Sequence, residues 1–424
     1  MFLSRLVRRS NRWVAVLAVL LTTPFVSGCW DRVELEQRAI ILGLAVDEAQ
    51  SADSNNETSM AHDSKATLSD PKLYNQLQEK QKISVTAQVA VPGRIPLGPG
   101  GGDGGGGGGS NPATSVWVVK ATGTSLGDAM QELQQHLGER IFLGHLRIIT
   151  ISEEVAKDIG TKPYLDYLRR NPQIRRTAWL TVSKGKAATL MKTAPPLERV
   201  PTLYLLSTMQ SAIRLGKLPH DFLGSFESKE TMWGREPILP YLEVTGKQVK
   251  VAGIAAFCDG KMKYTLNPSE VTSYEQLDGS RSTHTTIMVP MGSKGDYVVW
   301  TSFARAHRIK VKMVKGKPVV TVYVHVDGNV EEKSRNRVDL QNHVFRTRLE
   351  NEMANWSEIH MKKIIDKTKV YHTDIFGFGE YVRAYEPGYW RQHVHHKTDW
   401  RKLYADLNIN VVATFQTHRS GMKV

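Results

Sequence analysis

Apolar positions recur along this chain with two different periods, and the changes of period mark its elements. AIILGLAV (39–46) is continuously apolar and predicts a buried strand, whereas KISVTAQVAV (82–91) places Ile83, Val85, Ala87, Val89 and Val91 on one strand face. VWVVKATG predicts a third strand, after which Ser125 caps a helix in LGDAMQELQQHLG. There Leu126, Ala129, Met130, Leu133 and Leu137 form one apolar stripe, and Gly138 ends it. IFLGHLRIITIS reads as a strand, Ser152 caps EEVAKDIG, YLDYLRR is helical up to Asn171-Pro172, and TAWLTVS is again a strand. This alternation predicts an N-terminal mixed α/β domain over 29–185, followed by a helical or mixed middle region over 186–245 containing LERVPTLYLLSTMQSAIRLG.

From 246 to 424 the order changes. VKVAGIAAF and KMKYTL flank Asp259-Gly260, a hairpin signal, and THTTIMVPM, YVVWTSF, HRIKVKMV and PVVTVYVHV follow with period-2 alternation. A long amphipathic helix is expected over about 331–366, with Leu340, Val344, Leu349, Met353, Trp356, Ile359 and Ile364 facing one way. GYWRQHVHHKTDWRKLYADLN looks helical and INVVATFQTHR closes the chain as a strand. The predicted class is therefore multi-domain α+β with mixed α/β character: mixed sheets flanked by helices, and a C-terminal antiparallel sheet packed on a long helix. Two stretches break the periodicity. Residues 48–80 are polar, and GPGGGDGGGGGGS (98–110) is nearly pure glycine; both read as flexible insertions. The glycine run lacks the Gly-Lys-Ser/Thr of a phosphate-binding loop.

Charge alters the picture at one place. The net charge is +14, and Arg5, Arg8, Arg9 and Arg12 lie together ahead of a 13-residue apolar stretch, WVAVLAVLLTTPF. That is the layout of a secretory signal peptide, too short to span a bilayer comfortably. Small residues then precede a cysteine in VSGC, which resembles a bacterial lipobox. The reading is a leader over 1–28, cleavage between Gly28 and Cys29, and a diacylated Cys29 as the new N-terminus; the alternative is an uncleaved anchor with an incidental cysteine. Two acyl chains hold a protein stably at about 0.8 kcal/mol per buried CH₂, where one is marginal. With Cys29 so used, Cys258 has no partner for a disulfide, and a buried strand thiol is its expected state. Trp30 would sit at headgroup depth, and Asp31 and Glu34 have capping-box spacing for a short helix.

Candidate chemistry is sparse. His393, His395 and His396 form an HVHH cluster in which His393 and His396 would share a helix face, but no carboxylate or cysteine stands at zinc-motif spacing, so no metal site is expected. His325 lies on the polar side of its strand. No nucleophile elbow, paired carboxylates or nucleic-acid fingerprint is present, so neither a cofactor nor catalysis is expected. RRNPQIRR gathers Arg169, Arg170, Arg175 and Arg176 around a turn, either a solvated face or a contact for anionic lipid or an acidic partner.

Several blocks converge on one resemblance. GCWDRVELEQ, GHLRIITISEEVA, YLDYLRRNPQIRRTAWLTVSKGKA, DIFGFGEYVRAYEPGYW, the spacing from Trp390 to Trp400 and the closing VVATFQTHRSG are similar to the Ger(x)C family of spore germination lipoproteins, the C subunits of nutrient germinant receptors. The departures are the two insertions and GLAVD, where that family more often has Gly-Ile-Asp. The resemblance implies three domains of mixed α/β character and a non-enzymatic, lipid-anchored subunit on the outer face of the spore inner membrane. Its implied partners are two integral-membrane subunits, one channel-like and one transporter-like. Cys29 carries over as the lipidation site; Trp30, Asp31 and Phe376–Glu380 match without an assigned role. Two other classes stay open: a small-molecule binding lipoprotein delivering nutrient to a transporter, and a wall-acting enzyme.

Overall fold

The computed structural model describes residues 37–49, 82–91, 115–195, 198–279, 284–291, 296–334 and 342–419. The leader, Gly28, Cys29, Trp30, the helix expected from Asp31 and nearly all of both expected insertions lie outside these residues.

The first sheet is built from β1 (Arg38–Glu48), β2 (Ile83–Ala90), β3 (Val116–Gly123), β4 (Arg140–Phe142), β5 (Ile148–Ser152), β6 (Trp179–Ser183), β7 (Ile238–Thr245), β8 (Gln248–Cys258) and β9 (Lys261–Leu266). Its order is β3-β2-β1-β5-β6-β7-β8-β9, with the short β4 paired to the start of β1. The neighbours β1, β5, β6 and β7 run parallel, and antiparallel strands extend the sheet on both sides. Six helices accompany it: α1 (Leu126–Gln135), α2 (Glu153–Asp158), α3 (Lys162–Arg170), α4 (Pro201–Arg214), α5 (Leu223–Thr231) and α6 (Pro268–Asp278). Ser125 and Ser152 cap α1 and α2 as expected, each accepting a backbone N–H three residues on.

A parallel sheet centre is covered on both faces, which explains the unbroken apolar runs. Leu44, Val46, Ile149, Ile151, Leu180 and Val182 point to one core, with Leu126, Leu133, Leu165 and Leu168. The intervening Ala45, Ile148 and Trp179 point to the other, with Leu190, Leu205 and Met209. β2 keeps the expected alternation, but its polar face is buried too. Gln88 there donates to the Met191 carbonyl (2.8 Å) and accepts from the Thr202 N–H (3.2 Å), binding the middle region to the sheet.

The second sheet has the order β10 (Thr286–Pro290), β11 (Tyr297–Val314), β12 (Lys317–Lys333), β13 (Asn408–Arg419). β10, β11 and β12 are antiparallel, and β13 joins β12 in parallel after a long crossover through α7 (His343–Val370), α8 (Phe378–Tyr385), α9 (Pro387–His393) and α10 (Lys397–Ala405). The α+β class with mixed sheets thus holds. No helix among the described residues is long and apolar enough to cross a membrane.

Several local expectations change. The Asp259-Gly260 hairpin forms, but β8 and β9 add to β7 in the first sheet instead of opening a new one at 246. IFLGHLRIITIS breaks into β4 and β5 around a turn, and α1 stops at Gln135, short of Gly138. YVVWTSF and HRIKVKMV are one strand, β11, with bulges at Val299/Trp300 and Ser302/Ala304. The long helix begins at His343, because Val330–Lys333 still belong to β12. Leu349, Met353 and Ile364 are buried on it, whereas Val344, Trp356 and Ile359 are exposed; Leu340 lies outside the described residues. GYWRQHVHHKTDWRKLYADLN is two helices, α9 and α10, broken at Val394.

Gly253 occupies φ +140 at the β7–β8 register shift, and a Cβ there would fall on the Leu266 carbonyl oxygen. Gly253→Ala should cost about 2–3 kcal/mol, since neither the backbone angle nor the space admits a methyl group. Urea unfolding checks this, and an unchanged midpoint would contradict the reading.

Candidate functional site at the junction of the two sheets

The block DIFGFGE begins four residues after α7 and is built around one carboxylate. Gly377 takes φ +79, a left-handed turn that lets three consecutive N–H groups at the start of α8 converge. Asp374 accepts from Gly377 (2.8 Å) and Phe378 (3.1 Å) on Oδ1, and from Gly379 (2.8 Å) and the Trp400 indole Nε1 (3.0 Å) on Oδ2. All four donors are needed because the group is 1% exposed. Burial pushes its carboxyl up to about 6, and the donated hydrogen bonds hold it from rising further.

The other half of the junction is Gly234, Arg235 and Glu236, the residues that lead into β7. The Glu236 N–H donates to the Asp374 carbonyl (2.7 Å), and the Gly234 N–H donates to Glu380 Oε1 (2.9 Å). The buried Glu236 side chain meets Arg401 (2.7 Å) and Lys397 (3.1 Å) of α10. Gly379 and Gly234 lie back to back: a Cβ on Gly379 would come within 2.5 Å of both Gly234 Cα and the Trp400 ring. Arg235 pairs with Asp278 at the end of α6. Further ties run from Tyr264 of β9 to Thr373 (2.8 Å), from Glu270 of α6 to Lys367 of α7 (2.8 Å), and from Gln276 to Ser357 (2.6 Å). One hydrophobic core continues through this junction, from Ala45 and Ile148 past Ile254 and Tyr274 to Trp300, Val322 and Trp400. Beside it opens a cleft of about 460 Å³ lined by Met232, Trp233, Glu380, Arg383 and Trp390, in which Glu380 and Arg383 pair at 2.6 Å.

The arginine turn is gathered as the sequence indicates, but three of its four charges have acidic partners. Arg169 (3.5 Å) and Arg176 (2.6 Å) flank the buried Glu227, and Arg170 pairs with Asp166 (2.9 Å). Arg175 is exposed with no acidic partner among the described residues. His393 and His396 do not share a helix face: His393 ends α9 and hydrogen-bonds the Tyr389 carbonyl (2.9 Å), while His396 precedes α10. Cys258 is half-buried at the end of β8, and burial pushes its thiol up. His325 is on the open sheet face, in contact with the Thr414 hydroxyl (2.8 Å). Sequence reasoning missed Asp47 of GLAVD, which accepts from the Ala187 (2.7 Å) and Ala188 (2.9 Å) N–H groups. It also left Asp374 without a role, although the DIFGFGE block flagged its neighbourhood.

Comparison with known proteins gives this junction a family setting. Residues 31–244 match the family model described as the spore germination protein N-terminal domain, and residues 252–421 match that described as spore germination B3/GerAC like, C-terminal. The chain belongs to the Ger(x)C family of spore germination proteins. Among its relatives, spore germination protein KC of Bacillus subtilis is 24% identical, over 97% of this chain and 96% of that one. Spore germination protein GerQC of Bacillus cereus is 22% identical, over 72% of this chain and 83% of that one. The crystal structure of the GerBC protein matches in fold, with a TM-score of 0.53, 17% identity, and 80% of this chain and 94% of that one covered. The two Ger(x)C models meet within the β7–β8 hairpin, so the first sheet itself crosses from one matched region to the next.

Asp374→Asn would turn an amide NH₂ toward two of the four donors, and stability should fall by about 2–4 kcal/mol. The raised folded-state pKa also fixes a sign. The contribution of this group is fully present below its unfolded value of 3.8 and is lost as pH rises through about 6. The wild type should therefore gain on the order of 1 kcal/mol on the Asn variant between pH 7.5 and pH 5.5. Paired urea titrations at the two pH values check both statements; a gap that narrows as pH falls would contradict the second.

Proposed function

We infer that this protein is the lipid-anchored, non-enzymatic C subunit of a spore nutrient germinant receptor. Family membership across both halves of the chain carries the reading. The VSGC lipobox supports an extracytoplasmic location, with the leader removed and diacylated Cys29 holding the chain on the outer face of the spore inner membrane. There it works with two integral-membrane subunits, one channel-like and one transporter-like, as scaffold or transmitter. The continuous core and the Asp374 junction favour such a role, because they couple the two sheets into one mechanical unit. A displacement applied to either sheet is then passed to the other.

One observation favours a second reading, direct nutrient binding. The cleft at the junction is lined by both charge signs, the paired Glu380 and Arg383, together with Trp233 and Trp390, a combination suited to an amino-acid zwitterion. Calorimetric titration with amino acids and sugars discriminates, since a pure scaffold gives no heat of binding.

Cys29→Ala should move the protein from the membrane fraction to the soluble fraction of spores and impair germination in response to nutrients. Immunoblotting of fractions and optical-density loss on nutrient addition provide the readouts. Full membrane retention with normal germination would refute the anchored-subunit reading.

A further inference from the structure

The segment Tyr297–Val326 contains Arg305, Arg308, Lys310, Lys312, Lys315 and Lys317 and not one aspartate or glutamate. It folds as the β11–β12 hairpin, whose turn is Lys315-Gly316. The adjacent strand β13 is also free of acidic residues, the nearest being Asp406, two residues before it starts. On β12 the acidic positions Asp327, Glu331 and Glu332 all lie toward the far end from the turn. One half of this sheet is therefore uniformly cationic.

Register shows how those charges are displayed. Val320, Val322 and Val324 are buried with Val411 and Ala413, on the face covered by α7. The opposite face is open. Arg308, Tyr323 and Val412 stand in one cross-strand row there, with Lys310 and Lys312 in the next rows toward the turn. Tyr323 is 39% and Val412 40% exposed, and the Lys310 ammonium sits 5.3 Å from the centre of the Tyr323 ring. At the apex Met313 is 38% and Val314 50% exposed, although they project to opposite faces, so both faces of the tip are open to solvent. Lys315 and Gly316 both have positive φ (50° and 75°), the two-residue turn that Asn-Gly fits best. A lysine is held there in the left-handed region at a conformational cost.

We propose that the tip of the β11–β12 hairpin docks on an anionic lipid bilayer. Met313 and Val314 enter the headgroup–acyl boundary, and Lys310, Lys312, Lys315, Lys317 and Arg308 rest on lipid phosphates. A convex apex with apolar side chains ringed by lysines fits a soft interface better than a folded acidic partner. Lysine stems lie along the apolar boundary while their ammonium groups stay at the headgroups. The arginine turn around Asn171 is a weaker candidate, because Glu227 and Asp166 already neutralise most of it. The contact extends the membrane reading of Cys29 but does not use its lipid. The test therefore leaves that lipid out, and failure of one does not imply failure of the other.

The chain from residue 29 to 424, made without the leader and so unlipidated, is sedimented with vesicles of phosphatidylglycerol and with vesicles of phosphatidylcholine across a salt series. Binding to phosphatidylglycerol at low salt, falling steeply as salt rises, and little binding to phosphatidylcholine are expected. Lys312→Gln, Lys315→Gln and Lys317→Gln should each weaken it about fivefold, and together on the order of a hundredfold. Met313→Ser with Val314→Ser should weaken it about tenfold while leaving the salt slope unchanged. These side chains are exposed, so the unfolding midpoints should match the wild type. The proposal is overturned if phosphatidylglycerol vesicles do not sediment the wild type, or if the triple variant binds as the wild type does. It is equally overturned, in favour of an acidic protein partner, if poly-glutamate competes fully and the serine variant binds vesicles normally.

Discussion

The fold depends on a carboxylate that water does not reach. Asp374 lies where the chain leaves α7, and each of its oxygens is satisfied by two N–H groups, one pair from α8 and the other shared between α8 and the Trp400 indole. Four donors on one buried group leave no slack: any shift of α10 relative to α8 strands a charge or a donor in an apolar setting. The glycines follow from this. Gly377 supplies the left-handed turn, while Gly379 and Gly234 allow two backbones to meet with no side chain between them. Glu236, paired with Arg401 and Lys397, repeats the arrangement one step away and brings β7 into it.

This explains why the two sheets share a core. In a chain of this length separate cores joined by a hydrated linker are the usual outcome. Here Tyr264, Tyr274 and Phe376 carry apolar contact from the β8–β9 region into the second sheet, and the polar ties stand at its margin. Polar groups confer direction on a junction that apolar packing alone would leave free to slide.

Features set by near neighbours were legible in the sequence. The Ser125 and Ser152 caps and the β2 face are local, and each followed from spacing within a few residues. What was not legible came from partners far along the chain. The bulge at Ser302/Ala304 shifts the buried phase of β11 from Trp300 and Ser302 to Ile309, so a period-2 count restarts and finds two strands. Val344, Trp356 and Ile359 satisfy a helical stripe, but periodicity identifies an apolar side, not how far along it another element reaches. Asp374 was harder still, because its indole donor is 26 residues away. The cationic hairpin was visible only as alternating strands until register set its lysines on one open face.

The parallel pairing of β12 with β13 has a consequence for the order of assembly. β12 can zip to β11 through a two-residue turn, but its other edge waits for a strand that follows four helices. Until that strand arrives, a long row of valine-rich backbone stands unpaired, an edge prone to pairing with another chain. Closing a sheet across such a sequence separation is slow. A chaperone that shields the β12 edge during this interval would raise the yield of folded protein by keeping that edge from pairing with another chain.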